Sequence, residues 1–234
     1  MKILALDSTA IAASVALTEN ESLLAEYTVL NGNTHSETLL PMIKSALGTF
    51  GTEARDIELF AVSEGPGSFT GVRIGVATVK GLAFDSKTPC VGVSTLEALA
   101  YNLVGSAGLI CPVMNARRSQ VYTAIFRSDG ESITRLTEDC AISIAELDEL
   151  LAEYGEPVRF CGDGYDITLP ELKKCEYIPT PVRLRSQSAY SVAVCALRKY
   201  NDGKAQNDAS LVATYLRPSQ AERELAEKNK ASVK

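Results

Sequence analysis

The sequence contains no tryptophan and only one histidine, His35. Its six cysteines include no C-x-x-C pair, which excludes zinc-ribbon and thioredoxin-like sites. Because one histidine would have to activate any nucleophilic thiol, none of these cysteines is a strong candidate for catalysis. The cysteines are Cys90, Cys111, Cys140, Cys161, Cys175 and Cys195.

Long apolar runs are also missing. No stretch reaches the roughly 20 residues that a membrane-spanning helix needs, and the N-terminus becomes acidic at Asp7, too early for a signal peptide. We therefore expect a reduced, cytoplasmic protein with no membrane association.

Positive charge is scarce as well. The chain has 23 Lys and Arg against 29 Asp and Glu, for a net charge of −6. Because Lys and Arg drive contact with phosphates, such a chain is a poor independent binder of nucleic acid. If it acts on RNA, a partner is expected to supply most of the basic surface.

The 234 residues, 46% of them apolar, are enough for one large or two small domains. Hydrophobic periodicity predicts three strands, a helix, a strand, a helix and a strand, and a similar order begins again near residue 109. The chain is thus predicted to be α/β, with two βββαβα-type lobes. We place the first lobe at 1–100, completed by part of 208–220, the second at 101–207, and a charged tail at 219–234.

The first half has predicted strands at 3–7, 14–17, 23–30, 57–63 and 89–93, and helices at 35–50 and 72–84. The second has strands at 109–114, 121–126, 133–136 and 158–161, and helices at 144–154 and 188–200. A helix at 95–104 is expected to cross between the halves.

The most informative segment is residues 65–75, GPGSFTGVRIG, between a predicted strand and a predicted helix. Its glycines permit unusual backbone angles and close approach of another group. Ser68 or Thr70 could cap the helix, whose free N–H groups favour anions. It is not a Walker A loop, since no Gly-Lys-Ser/Thr closes it, and its G-x-G-x-x-x-G spacing is one residue longer than the dinucleotide-binding motif.

This segment resembles the signature of the TsaB (YeaZ) family, a bacterial subunit of the machinery that places threonylcarbamoyl on adenosine in tRNA. The resemblance extends along the chain. Further matching segments are Asp7-Ser8-Thr9, residues 35–41 and 94–100, Ala116-Arg117-Arg118 and Tyr215-Leu216-Arg217. It implies the ASKHA fold, the duplicated architecture of actin, Hsp70 and sugar kinases.

The resemblance also implies a role. A chain of this family is expected to be a non-catalytic subunit that pairs with TsaD and helps recruit the ATPase TsaE. The complex modifies adenosine 37 of tRNAs that read ANN codons, so tRNA is expected to be met only through the complex. Homodimers are expected too. The alternative is an ATP-dependent small-molecule kinase of the same superfamily.

In this family the first two helices and the signature form the face for homodimerisation and for TsaD. Gly71 and Gly75 lie one turn apart, and small residues let a second helix approach closely. The residues alone favour a helix buried within its own domain, whereas the resemblance favours an interface. The expected interface residues are His35, Leu39, Met42, Ile43, Gly65, Pro66, Gly67, Ser68, Phe69, Thr70, Gly71, Val72, Arg73 and Gly75.

A vestigial nucleotide cleft is the second expected site. Asp7 ends the first strand, where nucleotide-binding relatives place an aspartate, but the Asp-Ser-Thr sequence suits a tight turn equally well. Relatives commonly carry aspartate where this chain has Asn115, which weakens a magnesium or general-base role. The candidate cleft residues are Asp7, Ser8, Thr9, Asn115, Arg117, Gly162 and Gly164.

No metal site or cofactor is expected. The TsaD-type relatives bind metal through two helical histidines spaced i and i+4, which places both rings on one face. Here Leu39 occupies the second position. A metallopeptidase function therefore lacks its ligands, and we name no catalytic residue.

Overall fold

A computed structural model describes residues 1–30, 34–84 and 86–217. Within these residues the chain forms twelve strands and six α-helices. The strands are β1 (Lys2–Asp7), β2 (Ala13–Glu19), β3 (Ser22–Val29), β4 (Leu59–Gly65), β5 (Cys90–Ser94), β6 (Gly108–Asn115), β7 (Gln120–Thr123), β8 (Phe126–Ser128), β9 (Ile133–Arg135), β10 (Cys140–Ser143), β11 (Val158–Cys161) and β12 (Tyr177–Ile178). The helices are α1 (His35–Thr49), α2 (Phe69–Ala83), α3 (Thr95–Tyr101), α4 (Ile144–Ala152), α5 (Tyr165–Thr168) and α6 (Ala189–Asn201).

The first sheet has the strand order β3-β2-β1-β4-β5. Its first three strands are antiparallel, whereas β1, β4 and β5 run parallel. Successive side chains of a strand point to opposite faces, and both faces of β1 are covered. Leu4 and Leu6 pack with α1 and α2 on one side, while Ile3 and Ala5 pack with α6 on the other.

The second sheet repeats this plan in the order β10-β7-β6-β11-β12, with the same antiparallel and parallel pairings. The predicted duplication of a βββαβα unit is confirmed. One detail differs: the third-strand position belongs to β10, not to the predicted strand at 133–136. β9 instead pairs with β8, which follows β7 after a two-residue break and extends the hairpin.

Two helices lie between the sheets. Leu96 and Leu99 of α3 pack against the second sheet, and Val192 and Ala193 of α6 pack against the first. The predicted boundary at 207 assigns α6 to the second lobe, whereas the structure packs α6 on the first sheet. The small apolar side chains of α6 fit the small residues on the inner face of β1, β2 and β4.

Helix ends follow the local sequence. Ser143 and Glu146 form the predicted capping box of α4. Ser68 caps α2, so that helix begins at Phe69, three residues before the predicted start. Short β10, β12 and α5 were not predicted.

After α6 the chain continues along the first lobe. Leu211 is fully buried beside α2, and the Thr214 N–H donates to the Glu64 carbonyl at the end of β4 (2.7 Å). Arg217 donates from there to the Ala116 carbonyl in the second lobe (3.4 Å). We call residues 211–217 the C-terminal strap.

The predicted tail at 219–234 lies outside the described residues. None of the helices in the described ranges has the length and hydrophobicity to cross a bilayer.

Candidate functional site

The signature turn joins β4 to α2 and packs against the turn that follows β1. The Ser68 side chain accepts a hydrogen bond from the Gly71 N–H (3.3 Å), as an N-cap does. The Ser68 N–H in turn donates to the Thr9 carbonyl (2.7 Å). Of the two predicted caps Ser68 is therefore the correct one, since Thr70 lies inside the helix.

Neighbouring atoms of the β1–β2 turn require glycine at the signature positions. A Cβ atom at Gly71 would lie 2.0 Å from the Ser8 carbonyl oxygen, and one at Gly67 would lie 2.4 Å from that of Thr9. At Gly75 a Cβ would lie 2.6 Å from the Ser8 hydroxyl. Real Cβ contacts are longer, so only glycine lets α2 approach the β1–β2 turn.

The same turn holds a buried carboxylate. Asp7 is inaccessible to solvent and accepts hydrogen bonds from the Thr9 N–H (2.9 Å), the Thr9 hydroxyl (2.8 Å) and the Ser63 hydroxyl. Burial raises the pKa of Asp7, although these donors oppose the shift. Of the two roles left open for Asp7, the geometry shows the turn-forming one.

His35 lies at the start of α1 and contacts this turn as well. Its Nε2 atom is 2.7 Å from the Ala10 carbonyl, which makes Nε2–H the donor. Leu39, at the position where relatives have the second histidine, is buried in the core of the lobe. Across residues 1–30, 34–84 and 86–217, no three His, Cys, Asp or Glu side chains are grouped to hold a metal ion.

In the second lobe, the equivalent turn follows β6. The Asn115 side chain accepts from the Arg117 N–H (2.8 Å), and the Asn115 N–H donates to the Asp163 carboxylate (3.1 Å). Gly162 has a φ of +101°, and a Cβ at Gly164 would lie 2.9 Å from the Val113 carbonyl oxygen. Burial raises the pKa of Asp163. The predicted second-half cleft residues therefore lie in two adjacent turns, one after β6 and one after β11, at the carboxyl ends of these strands.

The predicted interface residues do not form one surface. Most are buried in the first lobe, where they pack within the chain: Leu39, Met42, Ile43, Gly65, Pro66, Gly71, Val72 and Gly75. Their apolar or missing side chains serve packing on the sheet, the β1–β2 turn and the strap. His35, Gly67 and Phe69 are half-buried, and the exposed members are Ser68, Thr70 and Arg73.

A different set of residues forms the outer face of α2. Its exposed positions recur every three or four residues, and we call them the α2 stripe: Thr70, Arg73, Ala77, Gly81 and Phe84. Phe84 is 75% exposed, and Leu40 of the neighbouring α1 is 57% exposed. A Cβ at Gly81 would meet nothing within 4 Å. Small and apolar residues occur all around α2 in the sequence, so helical spacing alone did not single out this stripe.

An aromatic pair ties the strap to the signature. The rings of Phe69 and Tyr215 stack with centroids 4.3 Å apart and planes 3° from parallel. Arg73 donates to the Tyr215 hydroxyl (2.8 Å), and its guanidinium carbon lies 5.3 Å and 5.4 Å from the two ring centroids. Sequence reasoning missed this cluster because Tyr215 is more than 140 residues away from Phe69 and Arg73 in the sequence.

An open cavity of about 710 Å³ lies between α3, α6 and the β9–β10 region. Its charged side chains neutralise one another. Arg135 pairs with Asp139, and Glu97 lies 3.7 Å from Lys199 and 3.9 Å from Arg135. We assign it no ligand.

Each sheet has the strand order 3-2-1-4-5 when its strands are counted along its own lobe, with β8 and β9 left out, and helices lie between and outside the two sheets. This arrangement defines an ASKHA-fold protein. Comparison with known proteins narrows this class. The family model described as "TsaD: tRNA N6-adenosine threonylcarbamoyltransferase" matches residues 29–217. The chain belongs to the TsaB (YeaZ) branch of this family.

The relatives that support this assignment are similar over much or all of their length. "tRNA threonylcarbamoyladenosine biosynthesis protein TsaB" of Bacillus subtilis is 32% identical over 98% of this chain and 100% of its own. The Escherichia coli protein of the same name is 37% identical over 63% of this chain and 64% of its own. A Pseudomonas aeruginosa crystal structure, of an uncharacterized protein with similarity to peptidase YeaZ, superposes with a TM-score of 0.78. It is 25% identical and covers 92% of this chain and 99% of that one.

Proposed function

We propose that this chain is a non-catalytic subunit of the assembly that makes N6-threonylcarbamoyladenosine at position 37 of tRNAs reading ANN codons. It pairs with a TsaD-type catalytic subunit and helps recruit a TsaE-type ATPase. It works in the cytoplasm, meets tRNA within the complex, and also forms homodimers through the same face.

The observation that carries the non-catalytic role is the packing of α2 on the β1–β2 turn. The Ser8 and Thr9 carbonyls contact glycines of the signature, and the Asp7 carboxylate is taken by Thr9 and Ser63. The first lobe thus leaves little room or free carboxylate for a nucleotide phosphate and its magnesium. These contacts also disfavour the kinase alternative, because such an enzyme needs that turn open.

The surface that best fits a protein partner is the α2 stripe with Leu40. It combines exposed apolar side chains at Leu40 and Phe84 with small residues at Ala77 and Gly81. Small residues let a second helix approach closely, and the exposed apolar side chains gain from burial. The close-approach function first predicted for Gly71 and Gly75 moves to Ala77 and Gly81.

Ala77→Leu tests this face. A bulky side chain in a tight contact costs about 1–3 kcal/mol, which corresponds to a loss of about 5- to 150-fold in affinity. The matched control is Ala145→Leu, at an exposed position of α4 on the second lobe. Affinity for the cognate TsaD-type protein is measured by calorimetry, and self-association by sedimentation.

We expect Ala77→Leu, and not Ala145→Leu, to weaken both associations and to slow reconstituted threonylcarbamoylation. The chain alone should neither modify tRNA nor hydrolyse ATP. Rapid ATP turnover by the pure chain that Asp7→Ala abolishes would contradict the non-catalytic role. Equal pairing by both leucine variants would contradict the interface.

A further inference from the structure

Several arginines line the outside of the molecule where the strap meets the second lobe. Arg217 donates to the Ala116 carbonyl and to the side-chain oxygen of Gln120, the two residues that flank the β6–β7 turn. Arg117 and Arg118 are the exposed central residues of that turn. We call Arg117, Arg118 and Arg217 the arginine ridge.

The ridge lacks counter-charges. Elsewhere arginines such as Arg127, Arg135 and Arg185 lie within 4 Å of a carboxylate. Within the described ranges, no ridge arginine makes such a pair. The nearest carboxylate along the hydrogen-bond network is Asp163, which accepts from the Asn115 N–H. A protein of net charge −6 therefore carries a local excess of positive charge here.

The backbone of the turn adds further donors. Arg117, Arg118 and Ser119 all have φ between +55° and +62°, a region that residues other than glycine rarely adopt. The N–H groups of Arg118 and Ser119 donate to no acceptor among residues 1–30, 34–84 and 86–217. Backbone N–H groups and guanidinium groups together are the donors that bind phosphate oxygens.

Aromatic rings accompany these donors. Arg217 lies 5.9 Å from the centre of the Tyr122 ring, and Tyr215, two residues before Arg217, is 38% exposed. Tyr215 also bonds to Arg73 of the α2 stripe. The ridge thus runs up to the face proposed for the catalytic partner. Arginines interleaved with aromatic side chains are typical of surfaces that bind single-stranded RNA, because the arginines contact phosphates and the rings stack on bases.

We infer that the arginine ridge is this chain's own RNA-binding surface, which contacts backbone phosphates of the substrate tRNA beside the catalytic partner. This inference rests on the proposed function and deepens it. The chain adds RNA affinity within the complex, while its net negative charge keeps its binding weak when it is alone.

The test uses Arg117→Gln/Arg118→Gln in the reconstituted complex with the cognate TsaD-type subunit. The control, Lys173→Gln/Arg183→Gln, removes the same charge from exposed second-lobe positions that form no ion pair within the described ranges. Binding of a fluorescent tRNA transcript is titrated at several salt concentrations. Pairing of the two proteins is measured separately without RNA.

We expect the ridge variant to bind tRNA roughly tenfold more weakly at low salt, because each of the two lost exposed contacts lowers the affinity a few-fold. The slope of log affinity against log salt should become shallower by about 1.4–1.8, because each lost phosphate contact contributes about 0.7–0.9. The control should match wild type, and protein pairing should be unchanged in both.

Two results would overturn the inference. One is equal affinity and equal salt slope for the ridge variant and its control. The other is weakened protein pairing with unchanged RNA binding per assembled complex, which would make the ridge a protein contact. If wild type does not pair with the TsaD-type subunit at all, the proposed function fails. The same variants then test the ridge on the full chain alone at low salt.

Discussion

Replacing Gly71 with alanine tests whether the signature serves packing within the chain. The added Cβ would lie 2.0 Å from the Ser8 carbonyl oxygen and 3.3 Å from Cδ2 of His35. Because the nearer atom belongs to backbone, main chain has to move, and overpacking of this kind typically costs about 1–3 kcal/mol. Gly81→Ala on the same helix is the control, since its Cβ would meet nothing within 4 Å.

The two variants should change the free energy of unfolding in opposite directions. Gly81→Ala should stabilise the protein by up to about 1 kcal/mol through helix propensity. At Gly71 the clash opposes the same gain, so the two free energies of unfolding should differ by the cost of overpacking, about 1–3 kcal/mol. At roughly 2–4 °C per kcal/mol for a chain of this size, their melting temperatures should differ by at least about 2 °C. Urea unfolding followed by circular dichroism measures both. Equal stability of the two variants would refute the argument that the signature packs tightly on the β1–β2 turn.

Three further outcomes follow from the buried groups and the strap. Burial raises the pKa of Asp7, so its contribution to stability is full below the unfolded pKa and is lost as pH rises through the folded value. Urea unfolding over a pH series that begins below the usual pKa of an aspartate side chain should show wild type losing stability relative to Asp7→Asn as pH rises, and a pH-independent difference would contradict this. The stacked rings of Phe69 and Tyr215 should show a coupling of about 0.5–1.5 kcal/mol in a double-mutant cycle with alanine, whereas additive effects would show that the stack contributes nothing. Burial raises the pKa of Cys175 to about 11 and that of Cys111 to about 12. Alkylation of these two thiols at pH 8 should therefore be at least roughly tenfold slower in the native protein than in urea. Rapid labelling of half-exposed Cys175 in the native protein would contradict this.

Much of the architecture was predictable because it is encoded locally. The short apolar run of β1, the apolar stripe of α1 and the caps at Ser68 and Ser143 are all visible within a few residues. The family was predictable from the signature, because residues 65–75 are contiguous in the sequence and specify a single turn. Short strands such as β12 were not, because two residues carry no periodicity.

The candidate sites were harder to predict because sequence cannot say which side of a helix faces the core. Gly71 and Gly81 look equally suited to a helix contact, yet one lies against Ser8 and the other in the open. The stack of Phe69 on Tyr215 and the approach of Arg217 to the β6–β7 turn depend on chain reversal over about a hundred residues or more. Local patterns contain no information on such pairs.

The position of α6 has a consequence for biosynthesis. The inner face of the first sheet is covered by a helix that emerges from the ribosome about a hundred residues after β5. At roughly 5–20 residues per second, that face stays uncovered for about 5–20 s of translation. A nascent fragment that ends after β5 therefore exposes apolar strand surface and is a natural client for chaperones. The second sheet carries its own outer helices, so it can fold before α6 covers the inner face of the first sheet.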